Sequence, residues 1–296
     1  MGRGAPDQIR QDIAEAVEDG QSIFVLPNIF GVDALTMITA LAPEHPGIQL
    51  GVGVVPTYPR HPMALAQQAM TVQVLTGGRL VLGVGLSHQM VIESMFGMSY
   101  AKPVRHMREY LTVLMSLVRT GAVAFSGETV TANGSITIPG YTPFPVVVAA
   151  LGPKMLELAG TLADGTTTWM CGIDTIRSHI VPSITAAAEA AGREKAPEVQ
   201  VALPVCVTSD PAGARDRAGA VFAMYGMLPS YRAMLDREGA AGPADVAVVG
   251  SEEQVTDTLS SFGDAGATEF VAVNYSDDPD EHARTRAVLR ALAASR

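Results

Sequence analysis

Two glycines and three polar side chains in the segment LTGGRLVLGVGLSHQ are the first candidates for chemistry. Gly83 and Gly85 lie in an apolar run. The polar residues that follow are Ser87, His88 and Gln89. A dinucleotide-binding fingerprint requires a third glycine three residues after Gly85, but His88 stands there, so the segment does not predict a Rossmann fold. If a helix begins here, its free N–H groups and dipole favour a phosphate; alternatively, the glycines only let a strand pack closely.

Basic side chains gather in the stretch KPVRHMREY, although the net charge of the chain is −10. This acidic balance argues against general nucleic-acid binding, which depends on Lys and Arg side chains facing phosphates. Lys102, Arg105 and Arg108 suit a small anionic ligand, but exposed helix charges of this kind also simply face solvent. We therefore expect a small-molecule substrate and no nucleic-acid partner.

The histidines and cysteines do not predict metal or disulfide chemistry. No histidine pair has zinc-ligand spacing with a carboxylate or cysteine partner, so we expect no metal. Cys171 and Cys206 lie in separate apolar segments and are expected to be buried free thiols. The helical, acidic start of the chain differs from a signal peptide, and no apolar run approaches the roughly 20 residues that cross a bilayer. These features predict a cytoplasmic protein without a membrane partner.

The elements that position these residues alternate between strand and helix along the chain. Runs rich in Val, Ile and Leu are typical of parallel strands buried on both faces. The seven predicted strands cover residues 22–27, 48–55, 79–86, 145–151, 166–170, 199–207 and 269–274. The alternation predicts an α/β fold, a TIM-type (β/α)8 barrel with insertions whose sites lie at the carboxyl ends of the strands. Because the chain begins with a helix, we expect the first strand to be missing or irregular.

Two segments interrupt this alternation within a single predicted domain, residues 1–296. Residues 123–139 predict an inserted β-hairpin with its turn at Asn133 and Gly134, a dipeptide suited to a type I′ turn. Residues 211–245 predict a helical excursion before the last barrel unit, and such an excursion suits a lid or a contact between two copies.

Several longer motifs resemble the luciferase-like monooxygenase superfamily over residues 7–290. They are LTGGRLVLGVGLSH, MFGMSYAKPVRHMREYLTVLMSLVRTG with FSGET, GVGVVPTYPRHPMALAQQAMTVQVLTGGR and AALGPKMLELAGTLADGTTTWM. Two further segments, FVLPNIFGVDAL and LPSYRAMLDREGAAGPADVAVVG, are most similar to the branch that uses the deazaflavin coenzyme F420 instead of FMN. The resemblance implies a barrel with the coenzyme ring in its mouth, and it implies a homodimer.

The resemblance also implies where the coenzyme binds. A bulge in GVGVVPTY is expected to contain a non-prolyl cis peptide bond at Gly53–Val54; alternatively, the glycines there only relieve crowding in a strand. The implied coenzyme-binding residues are Gly53, Val54, Val55, Pro56, Gly85, Leu86, Ser87, His88, Gln89, Leu151, Gly152 and Trp169. Candidates for contact with the anionic tail or the substrate are Tyr58, Arg60, His61 and Arg105.

Two side chains are the implied candidates for catalysis. His88 stands where some F420 enzymes carry a glutamate, and an imidazole suits either general acid–base catalysis or phosphate binding. Asn28 stands where flavin-type relatives often carry an Asp–His pair. An amide forms hydrogen bonds but exchanges no protons near neutral pH, so the usual acid–base group is in doubt.

The activity that the resemblance implies is an F420-dependent oxidoreductase. Such an enzyme transfers a hydride between the deazaflavin C5 and a small organic substrate. The sequence contains no obvious nucleophile or catalytic triad, as expected where the coenzyme carries the chemistry. An FMN-dependent monooxygenase of the same superfamily and a member that binds coenzyme without turnover stay open as alternatives.

Overall fold

The computed structural model describes residues 4–295, which form two compact units. The first unit holds residues 4–17, Ser22–Ala149 and Leu158–Asp164, and the second holds Glu18–Gln21, Ala150–Glu157 and residues 165–295. Parallel strands alternate with helices in both, so the α/β organisation expected from the sequence is confirmed. Within residues 4–295, no helix is both long and apolar enough to cross a membrane.

The first unit contains a parallel sheet and a separate hairpin. Its strands are β1 (Ile23–Leu26), β2 (Gln49–Pro56), β3 (Leu80–Gly85), β4 (Ala122–Ser126), β5 (Thr131–Ser135) and β6 (Val146–Ala149). Its helices are α1 (Pro6–Glu18), α2 (Ala34–Leu41), α3 (Pro62–Leu75), α4 (Gln89–Ser94) and α5 (Pro103–Thr120), and α6 (Pro153–Leu162) contributes residues to both units. The order of parallel neighbours is β1, β2, β3 and β6, while β4 and β5 pair antiparallel.

Local sequence sets where the helices of the first unit begin and end. The Asp33 carboxylate accepts a hydrogen bond from the Thr36 amide and so caps α2. Pro62 occupies the first turn of α3, where its missing N–H has no helical partner to lose. α5 ends at Gly121, whose φ of 73° is a left-handed conformation that glycine adopts without steric cost. These boundaries place the loops that follow β1, β2 and β3 at the carboxyl ends of the strands.

The second unit repeats the alternation around a long central strand. Its strands are β7 (Gly165–Trp169), β8 (Glu198–Val207), β9 (Val248–Gly250) and β10 (Glu269–Asn274). Its helices are α7 (Ile173–Thr175), α8 (Val181–Ala190), α9 (Pro211–Met227), α10 (Pro229–Glu238), α11 (Pro243–Val246), α12 (Glu252–Asp264) and α13 (Pro279–Ala294), and a π-helical turn (Ile176–Ile180) joins α7 to α8. β8 pairs in parallel with β7, β9 and β10.

A largely buried carboxylate ties the carboxyl ends of β8 and β10 together. Glu281 on α13 accepts hydrogen bonds from Thr208 Oγ1 and Arg217 Nη2, both at 2.6 Å, and from the Ser276 hydroxyl. Although burial acts in the opposite direction, these hydrogen bonds lower the pKa of Glu281 to about 2. The carboxylate is therefore ionised and stabilises this end of the second unit.

The seven strands predicted from the sequence are all present, but an eighth parallel strand was missed. This strand, β9, has three residues and pairs with residues 205–207 at the carboxyl end of β8. Residues 246–249 form a short apolar run, but a run of this length does not distinguish a strand from a buried helical segment. Within residues 4–295 no strand precedes α1.

The predicted hairpin is present, but the turn predicted at Asn133 and Gly134 is wrong. Both residues lie within β5 and pair with residues of β4, and the turn consists of residues 127–130. Glu109 on α5 accounts for this placement, because its carboxylate accepts hydrogen bonds from three backbone N–H groups of the turn at 2.7–3.1 Å. A contact from a distant helix thus outweighs the local turn preference of the Asn–Gly dipeptide.

Candidate functional site

The main irregularity of the first unit lies in β2 at Gly53 and Val54. The peptide bond between them is cis, and the pairing of β2 with β3 shifts register between Val52 and Val55. The cis peptide predicted at this position is confirmed. Val54 and Pro56 are partly exposed, whereas Val55 is buried. The bulge therefore presents apolar side chains at the carboxyl end of the strand.

Two glycines of β3 make room for this bulge. A Cβ atom on Gly83 would lie 2.2 Å from the Val52 carbonyl oxygen, and one on Gly85 would lie 2.7 Å from the Val54 side chain. Neither position accepts a side chain unless the bulge moves. The packing alternative for the two glycines is therefore confirmed, while coenzyme contact by Gly85 stays a prediction.

Residues 86–89, which are the loop after β3 and the first residue of α4, carry the polar candidates. Ser87 has a left-handed backbone with a φ of 60°, which is uncommon for residues other than glycine. His88 has an extended backbone and precedes α4, but its side chain does not cap that helix. Burial lowers the pKa of His88, so its imidazole is neutral at pH 7. The Gln89 amide donates to the Glu93 carboxylate at 3.1 Å. The loop thus places a neutral imidazole at the carboxyl end of β3.

Three aromatic rings support this loop. The Tyr58 ring stacks on His106 with centroids 4.0 Å apart and planes at 8°, and on Tyr100 at 5.2 Å and 29°. The Tyr100 hydroxyl donates to the Ser87 carbonyl oxygen at 3.4 Å. Burial raises the pKa of Tyr58 to about 12, so its phenol stays protonated near neutral pH. Tyr100 was missed from the sequence, because spacing along the chain does not show that the rings meet.

Asn28 supports the segment between β1 and α2. Its side-chain oxygen accepts a hydrogen bond from the Ala34 amide at 3.0 Å and so holds the first turn of α2. The residue is partly exposed. This contact gives Asn28 a structural role, and orientation of a substrate by its amide stays a prediction.

The cationic candidates for an anionic ligand are paired with carboxylates. Arg60 pairs with Asp33 at 2.5 Å, and Arg105 pairs with Glu128 at 2.8 Å. Lys102 also contacts Glu128, which belongs to the hairpin turn. An anionic ligand would have to compete with these carboxylates for Arg60 or Arg105.

His61 caps α3 through its side chain. Its Nδ1 atom accepts a hydrogen bond from the Met63 amide at 3.3 Å, and its Nε2 atom lies 3.2 Å from the Thr131 carbonyl oxygen. With both bonds formed, the ring carries its proton on Nε2. His61 thus connects α3 to the hairpin, and its contact with a ligand stays a prediction.

The remaining candidates, Leu151, Gly152 and Trp169, belong to the second unit. The Leu151 carbonyl oxygen is 2.8 Å from His179 Nε2. A Cβ atom on Gly152 would meet no atom of the described residues within 4 Å, so packing does not require glycine there. Trp169 packs edge-to-face on Phe222 with centroids 5.5 Å apart. Trp169 is partly exposed, and coenzyme contact by Leu151, Gly152 and Trp169 stays a prediction.

The described residues offer little for metal or thiol chemistry. Residues 4–295 contain no group of three His, Cys, Asp or Glu side chains placed to hold a metal ion. Cys171 and Cys206 are free and buried, as predicted. Burial raises the pKa of Cys206 to about 11 and that of Cys171 further, so the reactive thiolate forms are disfavoured.

A family model matches most of the chain and shows the family to which it belongs. The model, described as luciferase-like monooxygenase, matches residues 5–269. The chain belongs to the luciferase-like monooxygenase family.

Two similar relatives are both named 5,10-methylenetetrahydromethanopterin reductase. The one from Archaeoglobus fulgidus is 36% identical over 44% of this chain and 39% of its own length. The one from Methanolobus tindarius is 29% identical over 72% of this chain and 66% of its own length. Each match spans less than two thirds of the relative.

Solved structures of the luciferase-like family share the fold. The coenzyme F420-dependent tetrahydromethanopterin reductase of Methanopyrus kandleri has a TM-score of 0.79 and 20% identity, covering 97% of this chain and 94% of that one. The oxygenating constituent of 3,6-diketocamphane monooxygenase from Pseudomonas putida, in complex with FMN, has a TM-score of 0.77 and 16% identity, covering 100% and 94%. At these identities the likeness shows the fold alone, that of luciferase-like TIM-barrel proteins.

Proposed function

We propose that this luciferase-like family member is an F420-dependent oxidoreductase that exchanges a hydride between the deazaflavin C5 and a small organic substrate. The names of two relatives and of one structure with the same fold support a reductase. The observation that carries the proposal is the bulge at Gly53–Val54 beside the loop that contains His88. Together they bring an apolar surface and a neutral imidazole to the ends of neighbouring strands.

The residues of the first unit fit a deazaflavin coenzyme in two respects. The partly exposed side chains of Val54 and Pro56 offer the apolar surface on which a flat ring packs. The left-handed backbone at Ser87 turns the chain between β3 and α4. In the proposed complex, backbone N–H groups of residues 86–89 and the Ser87 hydroxyl donate to the phosphate.

Arg105 is the better of the two arginines for an anionic tail. The side chains of Arg105 and Glu128 are 56% and 42% exposed, and those of Arg60 and Asp33 are 28% and 31% exposed. An ion pair in water contributes only about 0–1 kcal/mol, so an anionic ligand displaces Glu128 at small cost. The more buried Asp33 also caps α2, and its displacement would disturb that helix.

When bound, F420 supplies or accepts the hydride. His88 then moves the accompanying proton: its neutral imidazole accepts the proton of a substrate hydroxyl during oxidation, and its protonated form returns a proton during reduction. The Asn28 amide donates a hydrogen bond to the substrate oxygen, while its oxygen stays on the Ala34 amide. Tyr58 stays protonated because of its raised pKa and acts only as a hydrogen-bonding group.

An FMN-dependent monooxygenase is the second candidate, because one structure of the same fold contains FMN. Such an enzyme requires oxygen and a source of reduced flavin in addition to its substrate. The two candidates bind different coenzymes, and this difference separates them without knowledge of the substrate.

Equilibrium titration of the purified protein with F420 and, separately, with FMN tests the proposal. We expect F420 to bind at least about tenfold more tightly than FMN, a difference of about 1.4 kcal/mol. Tighter binding of FMN supports the monooxygenase instead. Uptake of neither coenzyme contradicts both candidates.

A further inference from the structure

The stacked rings of Tyr58, Tyr100 and His106 connect α5 to the strand ends of the first unit. Tyr58 and His106 are nearly parallel at a centroid distance of 4.0 Å, and Tyr110 meets the same imidazole at 5.7 Å and 48°. Only 8% of His106 and 1% of Thr57 is exposed. The imidazole is therefore fixed on several sides.

Hydrogen bonds extend this stack to the loop after β3 along two paths. His106 Nε2 lies 3.1 Å from Thr57 Oγ1, and the Thr57 amide donates to the Gly85 carbonyl oxygen at 2.9 Å. At the other end of the stack, the Tyr100 hydroxyl donates to the Ser87 carbonyl oxygen. The imidazole thus supports residues 85–87 from both sides, once through a threonine and once through two tyrosines.

We infer that His106 is a positioning residue: stacked on Tyr58 and bonded to Thr57, it holds residues 85–88 in the conformation that receives the coenzyme. It acts through these neighbours and not by touching the coenzyme. The inference rests on the proposed function, because the loop it supports is the proposed site for the phosphate and for proton transfer.

The surroundings of His106 keep its ring neutral. Burial lowers the pKa of His106, and Glu109 on the same helix acts in the opposite direction. The Glu109 carboxylate is also bonded to the hairpin turn. The other residues in contact with the ring, Tyr58, Tyr110 and Thr57, carry no charge at pH 7.

Three variants separate the two contacts of the imidazole. His106→Phe keeps a flat ring for Tyr58 but loses the bond to Thr57. Thr57→Val removes the same bond from the other side and keeps the branched shape of the side chain. His106→Leu removes the stack and the bond together. His45→Phe is the matched control, because His45 is also 8% exposed but lies before the amino end of β2.

The readouts are the dissociation constant for F420, measured by calorimetry, and amide hydrogen exchange of the coenzyme-free protein. We expect His106→Phe and Thr57→Val to bind F420 about threefold to tenfold more weakly, as for one lost hydrogen bond. His106→Leu should lose more affinity than either. The amides of residues 86–89 should exchange faster in all three variants, and His45→Phe should match the wild type in both readouts.

Wild-type affinity in His106→Phe and Thr57→Val, together with unchanged exchange at residues 86–89, would overturn the inference and leave the stack as core packing. Equal losses in His45→Phe would also overturn it, because they would reflect general destabilisation. If His106→Leu does not fold, the other two variants decide. If the wild-type protein takes up no F420, the proposed function fails, while the exchange comparison still tests the role of His106.

Discussion

The loop after β3, residues 86–88, and the hairpin turn, residues 127–130, are both short segments of the first unit, but they are held differently. One buried carboxylate closes the turn, because Glu109 accepts three backbone hydrogen bonds and one from the Thr129 hydroxyl. The loop contains a left-handed residue, Ser87, and a histidine that does not cap the helix after it. Its support comes from the rings of Tyr58, Tyr100 and His106, of which only His106 is buried.

We interpret this difference as that between a structural segment and the proposed coenzyme-binding loop. In the turn, the charges are paired within the protein, since Glu128 contacts Lys102 and Arg105. In the loop, a rigid aromatic stack fixes the backbone at Ser87 and leaves His88 partly exposed beside the bulge. A functional side chain is best positioned in this way, by packed neighbours that do not themselves react.

The largest expected effect is the loss of the carboxylate that closes the turn. We expect Glu109→Ala to lower the free energy of unfolding by about 3 kcal/mol, because several amides lose a charged acceptor. Denaturant unfolding measures this loss. Glu128→Ala is the control and should cost less than about 1 kcal/mol, because its ion pairs are exposed. Equal losses of stability in Glu109→Ala and Glu128→Ala would show that the Glu109 carboxylate is not what closes the turn.

Filling the space beside the bulge should have the next largest effect. We expect Gly83→Ala to lower the free energy of unfolding by about 2 kcal/mol, because its Cβ would lie against the Val52 carbonyl oxygen. The F420 affinity should fall at least about tenfold, since the bulge must move. Gly31→Ala is the control, because a Cβ there meets nothing within 4 Å. Wild-type stability and affinity in Gly83→Ala would contradict the proposed link between bulge and coenzyme.

A smaller effect is expected in the pH dependence of the stability that Glu109 contributes. Although burial acts against it, hydrogen bonds from Thr129 and Val130 hold the pKa of Glu109 below its ordinary value. The carboxylate therefore contributes stability that is present above the ordinary glutamate pKa, about 4.3, and is lost as pH falls through the folded-state value. The urea midpoints of wild type and Glu109→Gln should converge as the pH falls through this window. Midpoints that stay equally far apart would show that ionisation of Glu109 is unimportant.

The smallest expected change in stability concerns the loop itself. His88→Gln should alter the free energy of unfolding by less than about 0.5 kcal/mol, because the residue is partly exposed and does not cap α4. If His88 acts only in proton transfer, the F420 affinity of His88→Gln, measured by calorimetry, should stay within about threefold of the wild-type affinity. A tenfold fall would instead assign His88 to phosphate binding, the alternative that the sequence left open.

The sequence predicted the elements of the site better than their contacts. Continuous apolar runs located seven strands, and the family resemblance located the cis peptide at Gly53–Val54. The hairpin turn could not be located, because Glu109 lies 20 residues from Thr129 and outweighs the local Asn–Gly signal. The pairing of Arg60 with Asp33 was equally hidden, since it depends on how helices are placed and not on spacing along the chain.

A crystal structure of the protein with F420 tests the central claim most directly. We predict that the deazaflavin ring packs against the Gly53–Val54 peptide and that the phosphate contacts residues 86–89. A coenzyme bound away from both segments, with the bulge and the loop in the conformations described, would contradict the claim.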